Sequence, residues 1–382
     1  MDPYWRHFLP AELGGKLRSA EIWLVVGTRP EAIKLSPVAS ALADRGLDPR
    51  LVLTGQHVGL DPAEHELERL RRLDLHCPGL THPDAHVARV RRSLRRHLAS
   101  PPALLIVQGD TSSALGAAMA GFDRAVPVAH VEAGLRTGDP GSPWPEEAYR
   151  STIDQRATLL FAPTDSAAAN LAGEAVPGAV FVTGNSGIDA LRAAERQLPP
   201  ARLRERARPC LLVTCHRRES WGEGLAGIAS ALRAIAESGL ADIRFVLHPN
   251  AHVTATMRRS LGGCRGIELV DPCEHSAMLE LMRDADLILS DSGGMQEEAP
   301  GLGVPLLVLR DKTERSEGIV SGNARLVGTD PQRIRREVER LLGDPVALAT
   351  MATRAFPYGD GYAAPRIARL VEDWLEARRL RA

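Results

Sequence analysis

The chain has 382 residues, 44% of them apolar and 25% charged, and a formal net charge of -1. This is the composition of a soluble globular protein, and the length suits two domains of ordinary size, each with a substantial core. A balanced charge leaves no global footprint for nucleic acid or an anionic membrane, so any anion site has to be built locally.

No long uncharged apolar run and no signal-peptide pattern stands out, because the first stretch (Tyr4 to Pro10) is broken by charge and proline; the expectation is a cytoplasmic protein without membrane contact. The five cysteines, Cys77, Cys210, Cys215, Cys264 and Cys273, lack any C-x-x-C spacing, which argues against a disulfide framework and a structural zinc site. Lysine occurs only at positions 16, 34 and 312, so arginine is the default cation here.

In chain order, residues 1–20 show no period and read as an extension. Glu21 to Val26 reads as a buried parallel strand, followed by a turn and helix start at Gly27-Thr-Arg-Pro-Glu-Ala-Ile-Lys34, with Pro30 in a favoured first-turn position. Strands and helices then alternate. The strand Arg50–Thr54 precedes a helix near 61–73 and an arginine-rich helix near 85–99; the strand Ala103–Gln108, a helix near 112–122 and the strand Val126–His130 follow. A loop rich in proline and glycine, Gly134 to Pro145, leads into a helical stretch from Glu146 to Ala157, a composition that favours a functional loop. Strands Leu159–Ala162 and Ala179–Thr183, a helix near 187–197 and the Pro199-Pro200 break close the first half.

The second half restarts the pattern with Pro209–Cys215, a helix near 223–238, Ile243–His248 and Ile267–Val270. Next comes Leu287 to Glu298, read as a buried strand ending at Asp291, a Ser-Gly-Gly turn and a helix. The strand Leu306–Leu309 follows, and a last helix near 361–379 has no strand after it. Two tandem βαβ arrays imply an α/β protein of two Rossmann-like domains facing a cleft, with ligands at the carboxyl ends of the strands. The domains are expected at 21–185 and 186–360, with 361–382 as a helix packing back on the first.

Asp110 at a strand end, Glu132 near His130 and Arg136 at the next, and Glu146 with Glu147 after the proline-rich loop form a candidate general acid/base set. Helix capping and solvated salt bridges account for each of them singly; their convergence on one sheet edge favours chemistry. Ser292-Gly293-Gly294 at a helix start suits a phosphate, with Glu298 a turn further on in reach of a ribose, although an ordinary βα turn has the same look. Cations follow strand ends at Arg29 and Lys34, at His216, Arg217 and Arg218, and at Lys312 and Arg315, as a diphosphate clamp or a basic rim. Gly222 to Gly227 matches G-x-G-x-x-G formally, but six residues separate it from its strand and the next strand ends in His248 rather than an acid; a close helix approach is the better reading. His82 with His86, and Cys273 with His275, lack a third ligand for a metal.

Assembled, the blocks resemble the non-hydrolysing UDP-N-acetylglucosamine 2-epimerases over almost all of residues 21–375. They are Gly27 to Lys34, Gly109-Asp-Thr111, His130 to Asp139, Ser142 to Glu147, His216 to Ser220, Asp291 to Gly294 with Gln296 to Pro300, Arg310-Asp311 with Thr313-Glu-Arg315, and Pro357 to Gly361. The resemblance implies a glycosyltransferase-B type fold, a homodimer, no metal and no cofactor, and UDP-GlcNAc and UDP-ManNAc as substrates. By position, Asp110, Glu132 and Glu146 resemble the catalytic carboxylates and His216 the histidine of the catalytic region. Arg29, Lys34, Ser292, Gly293, Gly294, Glu298 and Arg315 look like the UDP contacts.

Two departures stand out. Cys273 and Met278 occupy positions near the uracil where many members carry Gln and Phe. In the segment that many bacterial members use for substrate activation, Gln56 and His57 are kept, but Gly59 and Leu60 replace a polar residue and Met; weakened activation is expected. The chemistry implied is elimination of UDP to a glycal and its re-addition. A hydrolysing relative, a glycosyltransferase of the same fold and a non-catalytic nucleotide-sugar sensor are the alternatives.

Overall fold

The computed structural model describes residues 20–139, 141–199, 207–217 and 220–381. The extension expected at 1–20, save Ala20, the proline break at Pro200, and Arg218 with Glu219 of the cationic block lie outside the described residues. In chain order the elements are β1 (Glu21–Val26), α1 (Arg29–Asp44), β2 (Asp48–Leu53), β3 (Arg71–Asp74), α2 (Pro83–His97), β4 (Leu104–Gln108), α3 (Ser112–Asp123) and β5 (Val128–Val131). Then come α4 (Glu146–Asp154), β6 (Leu159–Ala162), α5 (Asp165–Gly173), β7 (Ala179–Val182), α6 (Ser186–Gln197), β8 (Cys210–Thr214), α7 (Glu223–Glu237), β9 (Asp242–Val246), α8 (Ala251–Leu261) and β10 (Ile267–Val270). The chain finishes with α9 (His275–Arg283), β11 (Leu287–Ser290), α10 (Gly293–Leu302), β12 (Leu306–Val308), α11 (Glu317–Val320), β13 (Ala324–Leu326), α12 (Pro331–Gly343), α13 (Pro345–Met351) and α14 (Ala363–Arg379).

Two compact units result. One holds the described residues up to Arg136, Trp144–Ala190 and those from Gly359 onward; the other holds those of Thr137–Pro143 and Leu191–Tyr358. In the first, a seven-stranded sheet runs β3-β2-β1-β4-β5-β6-β7, and in the second a six-stranded sheet runs β10-β9-β8-β11-β12-β13. Every pairing is parallel. Continuous apolar strands make sense here, because a parallel sheet is covered on both faces. On β1, Ile22, Leu24 and Val26 pack with Leu35, Val38 and Leu42 of α1 and Ile367, Val371 and Leu375 of α14, whereas Trp23 and Val25 pack with Val90 and Leu94 of α2 and Ala117 of α3. On β8, Leu211 and Val213 face Ile228 and Leu232 of α7, and Leu212 joins Leu279 of α9 and Ala299 of α10.

The helix expected near 61–73 does not form. A short 3-10 turn (Pro62–His65) ends at Glu66 with φ 56°, and Arg71–Asp74 becomes an edge strand paired with Arg50–Leu53. The open edge of β2 offers this segment a row of backbone partners. The sequence pattern does not single out helices α5, α8, α9, α11, α12 and α13 or the strand β13. Of the 222–227 glycines, Gly227 serves close packing, since a Cβ there would lie 2.4 Å from the Thr329 carbonyl just ahead of α12, whereas a Cβ on Gly222 would meet nothing within 4 Å.

Candidate functional site

Both sheets are doubly wound, and in each the strand order reverses once. The reversal lies between β1 and β4 in the first unit and between β8 and β11 in the second. Crossovers depart to opposite faces there, which opens a crevice at the carboxyl strand ends. Four of the eight sequence blocks, those that begin at Gly27, Gly109, His216 and Asp291, follow the strands at these two points.

In the first unit the turn after β1 sits against the start of α3. A Cβ on Gly27 would lie 2.0 Å from the Ser113 hydroxyl, so only glycine permits the approach. Glu31, almost fully buried, ties the two strand ends together: it accepts from the backbone N–H groups of Gly27 and Thr28, both at 2.7 Å, from the Thr28 hydroxyl at 3.0 Å and from the Thr111 hydroxyl at 2.5 Å. Arg29 lies on one side of this tie and Asp110 on the other. Burial pushes the Glu31 carboxyl up to about 7 against the pull of those donors. Gln56 is built into the same corner: its carbonyl oxygen accepts from Ser113 N at 3.2 Å and Ser113 Oγ at 2.7 Å, while the backbone N–H of the exposed His57 donates to Gly27 O at 2.8 Å.

Each of two candidate carboxylates has a buried cationic partner. Arg150 donates to Asp110 through Nε at 3.0 Å and through Nη2, and its Nη1 reaches Glu147 at 3.0 Å. Lys34 Nζ donates to Glu132 at 2.7 Å, and Gln108 donates to the same oxygen. Lys34 is thus paired with Glu132, 98 residues away, a contact that its position in the sequence does not reveal. Glu132 has φ 70°, a left-handed conformation uncommon for a non-glycine residue and the kind of strain that collects at functional sites. Glu146 opens α4, half-buried. The fully buried His130 lies between Gly109 O, 2.8 Å from its Nε2, and Asp154, 2.6 Å from its Nδ1. Burial alone would raise the Asp154 carboxyl; His130 and Arg136 outweigh it and hold it below its ordinary value.

In the second unit a carboxylate again bridges the reversal. Asp291, fully buried after β11, accepts from His216 N at 2.9 Å, Arg217 N at 2.8 Å and His216 Nδ1 at 2.9 Å, across to the end of β8. Burial would raise it; the imidazole and the two amides pull it below its ordinary value. His216 also stacks on His248, with ring centres 5.1 Å apart. Ser292 occupies the N-cap position of α10, whose first residues are Gly293 and Gly294. Arg315 lies directly against Gly293, where a Cβ would come within 2.7 Å of the guanidinium carbon; its Nε donates to Glu297 at 2.7 Å and its Nη1 contacts Glu314. Glu298 is held by His275 Nε2 at 2.7 Å. Cys273 and Met278 pack half-buried on the β11/α10 core, and Lys312 pairs with Asp139 at 2.9 Å.

Besides the strand-end residues legible in the sequence, the structure brings Glu31, Gln108, Arg150, Asp154 and His275 into contact with them. Of these, Arg150 has a local signal for its role, four residues after Glu146 and three after Glu147 on one helix face, whereas the sequence marks His275 only as a neighbour of Cys273. A cavity of about 400 Å³ lies elsewhere, between α2 and α3, and none of the selected residues lines it. Among the described residues no group of three or more His, Cys, Asp or Glu is arranged to hold a metal ion, and no helix is long and apolar enough to cross a membrane.

The family model for UDP-N-acetylglucosamine 2-epimerase matches residues 40–372. The UDP-N-acetylglucosamine 2-epimerase of Yersinia pestis is 42% identical over 371 residues, which cover 92% of this chain and 98% of that protein. Among solved structures, the UDP-GlcNAc 2-epimerase of Neisseria meningitidis bound to UDP-GlcNAc superposes with a TM-score of 0.86 at 34% identity, covering 92% of this chain and all of that one. A spinosyn rhamnosyltransferase, 16% identical with a TM-score of 0.58, covers 92% of this chain and 100% of its own, and shares the glycosyltransferase-B type fold.

Proposed function

The chain belongs to the UDP-N-acetylglucosamine 2-epimerase family, and we propose that it interconverts UDP-GlcNAc and UDP-ManNAc at C2 by eliminating and re-adding UDP, without releasing free sugar. The observation that carries this reading is that Asp110 and Glu132, which follow neighbouring strands β4 and β5, are each braced by a buried cation, with Glu146 at the start of the helix that supplies Arg150.

The hydrogen at C2 of such a substrate is not adjacent to a carbonyl, so a carboxylate cannot simply remove it. Loss of UDP from C1 builds positive charge on the ring and acidifies C2–H; a carboxylate then takes the proton to give a glycal. In this assignment the second unit holds the leaving group. The amides at the start of α10 and the guanidinium of Arg315 receive the diphosphate, Glu298 binds the ribose, Cys273 and Met278 adjoin the base, and His216 faces the departing phosphate with its Nδ1 fixed by Asp291. The first unit moves protons through its carboxylates, with Lys34 and Gln108 orienting Glu132, Arg150 orienting Asp110, and Arg29 adding positive charge. Re-addition of UDP with protonation on the opposite face of C2 completes epimerisation.

The test is incubation with UDP-GlcNAc alone in heavy water, followed by NMR. One deuterium at C2 of both UDP-sugars is expected. Turnover without that label excludes the elimination route, free ManNAc with UDP identifies a hydrolase, and turnover only with an added acceptor identifies a glycosyltransferase.

A further inference from the structure

His275 has no part in the reaction above, and by sequence it stands out only beside Cys273 as an incomplete metal pair. The structure gives it a different partner. His275 opens α9, and its Nε2 donates to Glu298 Oε1 at 2.7 Å across to α10. The two side chains are 20% and 12% exposed, so the pair lies at a surface a ligand can reach rather than sealed in the core. Burial alone would lower the imidazole, and the Glu298 carboxylate instead holds it above its ordinary value. Glu298 stands five residues beyond Gly293 on the same helix, about 7.5 Å along the axis. That displacement suits the ribose of a nucleoside diphosphate whose phosphates sit at the helix start.

We infer that His275 is a specificity-determining positioning residue: by engaging Oε1 it orients the carboxylate so that Oε2 accepts from the ribose hydroxyls, and so makes this site select ribonucleoside diphosphates. The inference rests on the reading of Glu298 as the ribose contact. A carboxylate bonded on one oxygen keeps one rotamer; without the imidazole it is free to turn away, and the hydroxyls lose their acceptor. A site built to hydrogen-bond a hydroxyl rejects the analogue that lacks it, because its own polar group is left unpaired.

The experiment measures binding of UDP and of 2′,3′-dideoxy-UDP by calorimetry to wild type, His275→Phe, His275→Gln and Glu298→Gln. Wild type binds UDP at least about 10-fold more tightly than the dideoxy analogue, and Glu298→Gln removes most of that preference. His275→Phe weakens UDP by about 10-fold while leaving the dideoxy analogue within about 2-fold, and His275→Gln, which keeps a donor, regains part of the loss. A merely structural role would weaken both ligands alike. Full discrimination in His275→Phe overturns the inference while leaving Glu298 in place; no discrimination in wild type overturns the ribose reading itself. Should the Phe variant fail to fold, the ¹⁵N shifts of the His275 ring in wild type decide the matter: they move on adding UDP and stay still on adding the dideoxy analogue, and equal movement with both counts against the inference.

Discussion

Glu31 accepts four hydrogen bonds in a buried corner, and burial still outweighs them, raising its carboxyl from 4.5 to about 7. The raised value means that between these limits the folded chain keeps a proton that the unfolded chain has lost. The contribution of Glu31 to stability is therefore complete below pH 4.5, falls as pH rises to about 7 and is flat above it, over a span on the order of 3 kcal/mol. Asp154 and Asp291, held below their ordinary value, act in more acid solution, where their contribution is lost as pH falls. Other groups titrate in the same window, so the informative quantity is the difference between wild type and Glu31→Gln. Glutamine mimics the protonated acid, and denaturant unfolding across pH 4.5 to 8 should show the variant gaining on wild type as pH rises; a difference independent of pH would refute the assignment. Glu31, rather than any group read from pattern as catalytic, binds the two strand ends that carry Arg29 and Asp110.

At the scale of elements, α10 shows why its glycines are not equivalent. A Cβ on Gly293 would meet Arg315 at 2.7 Å, and that guanidinium is pinned by Glu297 and Glu314; a Cβ on Gly294 has its nearest neighbour, the Ser292 hydroxyl, at 3.9 Å. Gly293→Ala should cost about 1–3 kcal/mol by overpacking and, by displacing Arg315 from the helix start, weaken UDP binding about 10-fold. Gly294→Ala should leave stability at or above wild type, since alanine favours a helix by about 0.5–1 kcal/mol over glycine. Thermal unfolding and calorimetric titration with UDP check both, and equal behaviour of the two variants would remove the steric argument. The element between β2 and α2 teaches the converse. Apolar spacing around Leu67 and Leu70 resembles a helix, yet Glu66 turns left-handed and Arg71–Asp74 joins the sheet as an edge strand, because the open edge of β2 offers a row of backbone partners.

On the scale of the whole molecule, the last helix belongs to the first unit. Ile367, Val371 and Leu375 of α14 are buried with Leu35, Val38 and Leu42 of α1, and Asp189 accepts from the Ala363 and Ala364 amides at 3.1 and 2.9 Å to cap its start. Burial of each large aliphatic side chain is worth about 1.5–3 kcal/mol, so their sum rivals the net stability of about 5–15 kcal/mol that holds a domain together. A chain ended after Tyr362 should lose cooperative unfolding of the first unit and bind a hydrophobic dye; native-like thermal unfolding of that truncation would show α14 to be dispensable. What the sequence determined by itself was local and periodic: alternating apolar strands and helices, turn glycines and the acids and cations at strand ends, enough for two parallel α/β units and the family. Only the tertiary structure decided which of those groups serve one another. The pairing of Lys34 with Glu132, Arg150 with Asp110 and His275 with Glu298 joins residues 98, 40 and 23 positions apart. No local period encodes such contacts, because they exist only once strand order has brought separate turns to one sheet edge.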